Sequence, residues 1–243
     1  MFVICCTFVL MAHNCIHCNE CDTRQHSFMS SVAAEHLEVI SEAKSCYTYK
    51  KGQTIFFEDS RPLGLFCINK GKIKIYKTGV DGKEQIIHFG QAGDFLGYRA
   101  LIAEENYTVS ATALEETIAC FIPRDSFFEM LDKNPQLSRT MLKSLCHEIG
   151  IANERIQSLA QKNVRERLAE TLLLLHETFH GEAGAEAIID ITLPREDIAN
   201  IVGTATETLI RLLSEFKHDG LVEFEGKKIR LLDIAKLKKL SNP

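Results

Sequence analysis

Three cysteines near the start of the chain form the pattern with the most specific chemistry. Cys15, Cys18 and Cys21 are each separated by two residues. Ferredoxin-type sites use this spacing to present thiolates to an iron–sulfur cluster. A ferredoxin run has a further cysteine four residues on, but Gln25 occupies that position here. The pattern therefore predicts a site that needs a remote fourth ligand.

Two other kinds of site remain open for these thiols. Zinc accepts mixed Cys and His ligands, and His13, His17 and His26 are close in sequence. Thiols of low pKa that bind no metal would instead act as a redox switch. The remaining cysteines in periodic apolar segments are interpreted as buried inert thiols, and these are Cys46, Cys67, Cys120 and Cys146.

Composition limits the class of protein. The 243 residues are 45% hydrophobic and 25% charged, which is typical of a globular chain of about two domains. Because no apolar run is long enough for a membrane span, we expect a cytoplasmic protein with no membrane partner. We expect no catalytic site, since the chain has no phosphate-binding glycine loop, nucleophile elbow or paired-histidine helix motif. The start codon is Met1 or Met11.

Four segments differ in pattern and predict the domain organisation. Residues 1–30 form a cysteine-bearing arm. Residues 31–134 contain short apolar runs separated by glycines, which is typical of an antiparallel roll. Residues 135–161 have the pattern of one long helix, and residues 162–243 form a further domain.

The long helix carries a narrow apolar stripe with steps of three and four residues, which is the spacing of a coiled coil. Packing against the chain's own domain is one explanation, but so sustained a seam favours a partner helix. We expect the same helix of a second subunit to cover it. The predicted seam consists of Leu137, Met141, Leu145, Ile149, Ala152, Ile156 and Leu159.

Residues 193–231 have the pattern of two short amphipathic helices, a bend at Gly203 and a two-stranded hairpin. This is the layout of a winged helix-turn-helix, whose second helix enters the DNA major groove. The end of the chain is only mildly basic, with eight Lys and Arg against six Asp and Glu from Thr206 onward. The predicted DNA-binding residues are Thr204, Thr206, Glu207, Ile210, Arg211, Lys217, Lys227 and Lys228.

The order of roll, long helix and winged helix-turn-helix resembles the CRP/FNR superfamily of transcription regulators, most specifically over residues 195–231. The resemblance implies an α+β fold. This fold has an N-terminal antiparallel β-roll of the cyclic-nucleotide-binding type (a double-stranded β-helix), a dimerisation helix and a C-terminal winged helix-turn-helix. It also implies a homodimer on a two-fold symmetric site in double-stranded DNA, with RNA polymerase as a partner.

In this family a Glu, and an Arg four residues on, read a G·C pair, and Glu207 and Arg211 match those positions. Arg reads guanine bidentately and Glu can accept from cytosine. Thr206 and Ile210 differ from the family's usual residues, which leaves the preferred half-site open. Thr204 and Glu207 also match a capping box, in which Glu207 would only close the helix. We expect Arg211 to be exposed without an acidic partner on its helix.

The family's cyclic-AMP branch is a poor match. Tyr98 and Tyr107 stand where that branch has the Glu for the ribose and the Arg for the phosphate, and Arg99 is displaced by one position. A cyclic phosphate would therefore lose its charge-assisted bidentate contact, and we do not expect cyclic AMP to bind. An alternative regulator without a cluster would bind a small molecule in a pocket of Gly97, Tyr98, Arg99, Tyr107 and Thr108.

The oxygen-sensing FNR branch matches better, both around Cys18 and Cys21 and in the segment ETIACFIP that contains Cys120. The resemblance implies a [4Fe–4S] cluster held by Cys15, Cys18, Cys21 and Cys120. The third N-terminal cysteine of that branch would fall near Ser27, so the ligands are spaced differently here. The implied mechanism is that oxygen or nitric oxide converts the cluster and thereby weakens dimerisation.

Overall fold

A computed structural model describes residues 15–179, 188–189, 193–226 and 228–242. His13 and Lys227, which the sequence analysis singled out, lie outside the described residues. The chain divides into two units. The first unit comprises Met1–Lys77 with Ile87–Cys146, and the second comprises Thr78–Ile86 with His147–Pro243.

In the described part of the first unit, an arm of short 3-10 turns precedes helix α1. The turns span Cys18–Glu20, Asp22–His26 and Phe28–Ser31, and α1 spans Ala34–Ala43. Ser27 caps the last turn, because its hydroxyl accepts a hydrogen bond from the backbone N–H of Met29 at 3.2 Å.

Eight strands follow and form the roll. They are β1 (Ser45–Tyr49), β2 (Thr54–Phe56), β3 (Gly64–Lys70), β4 (Lys72–Thr78), β5 (Glu84–Gln91), β6 (Phe95–Leu96), β7 (Ser110–Ala113) and β8 (Thr117–Pro123). One sheet has the order β1-β8-β3-β6 and the other has the order β2-β7-β4-β5. In β4, buried Ile73 and Ile75 alternate with lysines, as expected of a strand with one face in the core. The short helix α2 (Tyr98–Ala103) connects β6 to β7.

A hydrogen-bonded junction joins α1 to the start of the long helix. Helix α3 spans Arg124–Lys133 and helix α4 spans Pro135–Gln161, with the buried residue Asn134 between them. The side chain of Asn134 donates to the carbonyl of Met130 at 2.7 Å, and its Oδ1 lies 2.9 Å from Nδ1 of His36 on α1. Proline is favoured in the first turn of a helix, because a backbone N–H at that position would have no partner within the helix. Pro135 occupies this position in α4.

One hydrophobic cluster connects the arm with this junction. It contains Cys18 and Met29 of the arm, Phe127 of α3, and Leu137 and Met141 of α4. Leu37 and Ile40, the buried face of α1, belong to the same cluster. The arm and the first turns of α4 therefore pack into one core.

The second unit contains a winged helix-turn-helix. Its elements are α5 (Val164–Phe179), β9 (Ile188–Ile189), α6 (Arg195–Val202), α7 (Thr206–His218), β10 (Val222–Glu225), β11 (Lys228–Leu231) and α8 (Ile234–Ser241). Gly203 ends α6 with a φ of 70°, a left-handed conformation that favours glycine. The three short strands form a sheet in the order β10-β11-β9. The predicted fold class is confirmed.

The buried face of α7 consists of the apolar residues expected from its periodicity, Leu209, Leu212, Leu213 and Phe216. The exposed face of α7 carries Glu207, Ile210 and Arg211, three of the residues predicted to meet DNA. Among the described helices, none combines the length and the apolar character that crossing a membrane requires.

The core around Phe127 offers a direct test of this packing. Phe127 is fully buried, so Phe127→Ala should lower the free energy of unfolding by about 3–5 kcal/mol through lost burial and an unfilled cavity. Urea denaturation followed by far-UV circular dichroism measures this. The control is Phe57→Ala, which removes a ring that is 63% exposed and should change stability by less than about 0.5 kcal/mol. Equal losses in both variants would contradict this assignment of the core.

Candidate metal centre and nucleic-acid interface

Three cysteines lie in a row across the first sheet of the roll. On β1 and β8, Cys46 pairs with Cys120, and on β8 and β3, Cys120 pairs with Cys67. Residues directly opposite each other on antiparallel strands direct their side chains to the same face. The Sγ atoms of Cys46 and Cys120 are 2.8 Å apart.

Hydrogen bonds hold the arm beside this row. Lys44 donates from Nζ to the carbonyl of Ile16 at 2.6 Å and to Sγ of Cys18 at 3.1 Å. The side-chain amide of Asn69 donates to Sγ of Cys21 at 3.3 Å. These bonds bring the two arm thiols to the same region as the roll thiols.

Four free cysteines, Cys18, Cys21, Cys67 and Cys120, line one small cavity of about 30 Å³. The rest of its lining includes two cationic side chains and several polar and apolar ones, namely Lys44, Arg24, Thr23, Ser27, Asn69, Met29 and Ile122. Four sulfur donors are soft ligands, and the two cations beside them suit an occupant that carries negative charge. They fit an iron–sulfur cluster better than a hard metal ion.

Burial keeps the roll thiols protonated in the absence of a metal. It raises the pKa of Cys67 well above its ordinary value, and Cys120, Cys21 and Cys18 raise it further. Burial also raises the pKa of Cys120 to about 11, partly opposed by Lys44. Since a bound metal requires thiolates, metal binding at this cavity releases protons.

Three of the four cysteines in the predicted ligand set line this cavity, and the fourth, Cys15, does not. Cys18, Cys21 and Cys120 are together, but Cys15 forms a disulfide with Cys46. A sulfur bonded to sulfur has no thiolate to offer, so Cys15 cannot serve as a ligand in this state. Cys67, interpreted from sequence as an inert thiol, lines the cavity in its place.

The two described histidines considered for zinc, His17 and His26, do not join these thiols. Nε2 of His17 lies 3.3 Å from a carboxylate oxygen of Glu38, and His26 is exposed. Within the described ranges, no group of three or more Cys, His, Asp or Glu side chains is arranged to hold a single metal ion.

The predicted effector pocket is not formed by its five residues. Tyr98 packs in the cluster of the arm, whereas Tyr107 packs in the other core cluster of the roll, stacked on Phe56. Arg99 and Thr108 are exposed. The tyrosines therefore fill the core rather than surround a ligand, and Gly97 lies directly against the Tyr107 ring.

The predicted dimer seam divides into a buried and an exposed part. Leu137 and Met141 are buried in the chain's own core, which corrects their assignment to the seam. Ile149, Ile156 and Leu159 are 61%, 66% and 55% exposed, and Ala152 is exposed with them.

Leu142, absent from the predicted seam, is 61% exposed and lies seven residues before Ile149. With it, the apolar stripe becomes a strict heptad in which the a positions are Leu142, Ile149 and Ile156 and the d positions are Leu145, Ala152 and Leu159. Leu145 is half-buried against the chain's own core, and the other five are exposed.

On α7, Glu207, Ile210 and Arg211 are exposed, whereas Thr204 and Thr206 are partly buried near the start of the helix. The cap position is Ala205, and in the described chain no side chain caps this helix, which argues against the capping-box interpretation of Glu207. Lys217 and Lys228 are exposed as well.

Arg211 does have an acidic partner on its helix, contrary to expectation. Its Nη1 lies 2.6 Å from Oε1 of Glu215, four residues on, and the other oxygen of Glu215 binds Arg165 at 2.9 Å. Residues four apart on a helix are neighbours, so the pair follows from the sequence once α7 is assigned.

Comparison with known proteins identifies both units. Residues 47–134 match the cyclic nucleotide-binding domain model, and residues 166–240 match the Crp-like helix-turn-helix domain model. The fumarate and nitrate reduction regulatory protein of Vibrio cholerae is 31% identical over 229 residues, covering 93% of this chain and 90% of that protein. The transcriptional activator protein anr of Pseudomonas aeruginosa is 29% identical, covering 91% of each.

Among solved structures, FixK2 from Bradyrhizobium japonicum superposes with a TM-score of 0.72 at 25% identity, covering 82% of this chain and 98% of that one. The relatives are matched along nearly their whole length, and both domain models of the family occur in the expected order. The chain therefore belongs to the CRP/FNR family of DNA-binding transcription regulators.

Proposed function

We propose that this regulator is a homodimer whose DNA binding responds to oxygen or redox state through an iron–sulfur cluster held between the arm and the roll. The observation that carries the proposal is the cavity in which thiols of the arm and thiols of the roll come together. Iron–sulfur chemistry is supported by relatives that are named for fumarate and nitrate reduction and for electron transport. A bound cluster would supply a redox-active centre that oxygen attacks.

Several contacts besides these thiols anchor the arm, including the disulfide from Cys15 to Cys46 of β1 and the buried side chains of Cys18 and Met29. The backbone N–H of Cys18 donates to Oγ of Ser41 on α1, and His17 pairs with Glu38 on the same helix. Lys44, which follows α1, donates from Nζ to the carbonyl of Ile16. Ligation of Cys18 and Cys21 would add strong bonds to the roll. Loss of that ligation would leave Cys18 and Cys21 held by hydrogen bonds and packing, while the disulfide of Cys15 still joins the start of the arm to β1.

Packing connects the arm to the dimer helix within one core. Cys18 shares a hydrophobic cluster with Leu137 and Met141, the first buried residues of α4. The bond between His36 and Asn134 fixes the same end of the helix. A shift of the arm must therefore be accommodated where α4 begins, because close-packed cores transmit displacement.

The exposed heptad of α4 would then carry dimerisation. A second copy of α4 supplies the complementary a and d residues, and burying them removes the apolar surface that a single chain exposes. Dimerisation presents two α7 helices to successive major grooves, which requires a two-fold symmetric site. RNA polymerase is the expected partner of the DNA-bound dimer.

The central test is an anoxic purification. We expect a coloured protein that contains iron and sulfide in equal amounts, about four of each per chain, and that loses both in air. DNA affinity and the dimer fraction should fall in parallel, measured by fluorescence anisotropy and sedimentation. A colourless, iron-free protein with oxygen-indifferent DNA binding would refute the cluster.

The seam is tested by Ile156→Glu. A charge at this a position of the heptad would be buried in the dimer without a partner, so the dissociation constant of the dimer should rise at least about tenfold. Sedimentation equilibrium measures this under anoxic conditions. Ile151→Glu is the matched control, since Ile151 lies on the same helix at a heptad position away from the seam. An unaltered dimer in Ile156→Glu would rule out this seam.

Base reading is tested by Arg211→Ala. Loss of a bidentate contact with guanine should cost about 1–3 kcal/mol and relax preference at one base pair. Competition binding with single-base variants of the preferred site measures the change. In the control Lys217→Ala, affinity should fall uniformly across sequences. An unchanged preference in Arg211→Ala would exclude base reading by this residue.

The disulfide favours a second candidate function, a thiol switch without metal. Sγ of Cys120 lies 2.8 Å from Sγ of Cys46, which is bonded to Cys15. Attack by Cys120 on Cys46, with the proton of the Cys120 thiol passing to the departing sulfur of Cys15, would form a Cys46–Cys120 disulfide and release Cys15 as a thiol, with no external oxidant. An iron-free protein whose DNA affinity follows thiol reduction would support this function instead.

A further inference from the structure

We propose that Cys67 of β3 is the fourth cluster ligand, so that Cys18 and Cys21 of the arm are matched by Cys67 and Cys120 of the roll. This inference rests on the proposed iron–sulfur function and assigns its ligand set. It replaces Cys15 of the arm by a residue from the centre of a sheet.

The distribution of free thiols supports this set. In the described part of the chain the free cysteines are Cys18, Cys21, Cys67, Cys120 and Cys146. The first four line the same cavity, whereas Cys146 is exposed on α4. A tetrathiolate set is therefore complete at this cavity without Cys15.

The strand register fixes two of the four donors relative to each other. Cys67 and Cys120 are direct partners on β3 and β8, and the pairing continues on both sides from Leu65 with Ile122 to Ile68 with Ala119. Such partners have Cβ atoms about 4.5–5.5 Å apart on one face of the sheet. The roll thus offers a rigid pair of thiols, and the arm supplies the second pair.

Charge at the cavity favours an occupant with several thiolates. Lys44 contacts Sγ of Cys18 directly, and Arg24 lines the same cavity while its guanidinium binds the carbonyl of Val32 at 3.0 Å. Asn69 donates to Sγ of Cys21. Two cations and an N–H···S bond would offset the negative charge that a four-thiolate cluster keeps, and such bonds tune its potential.

The two other arm positions that could supply a ligand are already engaged. Sγ of Cys15 is bonded to Sγ of Cys46. The hydroxyl of Ser27, although it lines the cavity, donates to the carbonyl of Arg24 at 2.9 Å and accepts from the N–H of Met29. Once Cys18, Cys21 and Cys120 are assigned as ligands, Cys67 is the one thiol left among those that line the cavity.

The test compares the iron and sulfide content of anoxically purified full-length variants. The iron content of Cys67→Ala should fall clearly below the wild type's value of about four atoms per chain, because the cluster loses one of its four thiolate ligands. The double variant Cys15→Ala, Cys46→Ala and the exposed control Cys146→Ala should keep the wild-type content. Far-UV circular dichroism verifies that each variant is folded.

The outcomes separate this inference from the function on which it rests. An iron-free wild type overturns the proposed function, whereas full iron in Cys67→Ala overturns only the ligand assignment. If Cys67→Ala does not fold, or if the double variant also loses iron, Cys67→Ser decides. A serine at a ligand position should change the electron paramagnetic resonance spectrum of the reduced cluster or abolish it, and an unchanged spectrum refutes ligation by Cys67.

Discussion

The structure depends on one hydrophobic cluster that contains both the cysteine arm and the base of the long helix. Cys18 lies in it beside residues of α1 and α3, and Leu137 and Met141 bring the first turns of α4 into the same core. Because protein interiors are close-packed, the arm cannot leave this cluster without a change in how α4 is held. The cysteine centre and the dimer helix are thus neighbours through packing.

The apolar stripe of α4 serves two surfaces because its spacing changes along the helix. Leu137, Met141 and Leu145 are four residues apart, and steps of four rotate a stripe by about 40° on a helix of 3.6 residues per turn. The first two residues face the roll's core. From Leu142 onward the spacing averages 3.5 residues, which keeps the stripe on one side, as a coiled-coil partner requires.

The helices and strands could be predicted from the sequence because they follow from local periodicity. The cysteine cavity could not be predicted in full, because it depends on pairing between residues far apart in the chain. The buried face of α7 and the long helix follow from spacing alone. Cys67 could not be assigned, since its proximity to Cys120 depends on the sheet order β1-β8-β3. The disulfide of Cys15 likewise joins residues 31 positions apart. The ion pair between Arg211 and Glu215 is different, because the four-residue spacing on a helix predicts it from the sequence.

Weak charge at the DNA-binding end fits the proposed control by dimerisation. The chain carries a net charge of −5, and Arg211 is partly neutralised by Glu215. An exposed ion pair of this kind is worth little, so a guanine can compete for the guanidinium. A single winged helix-turn-helix domain therefore gains little from phosphate neutralisation alone. If one such domain bound DNA tightly, monomers would occupy the sites, and a shift in the dimer equilibrium would not control DNA binding.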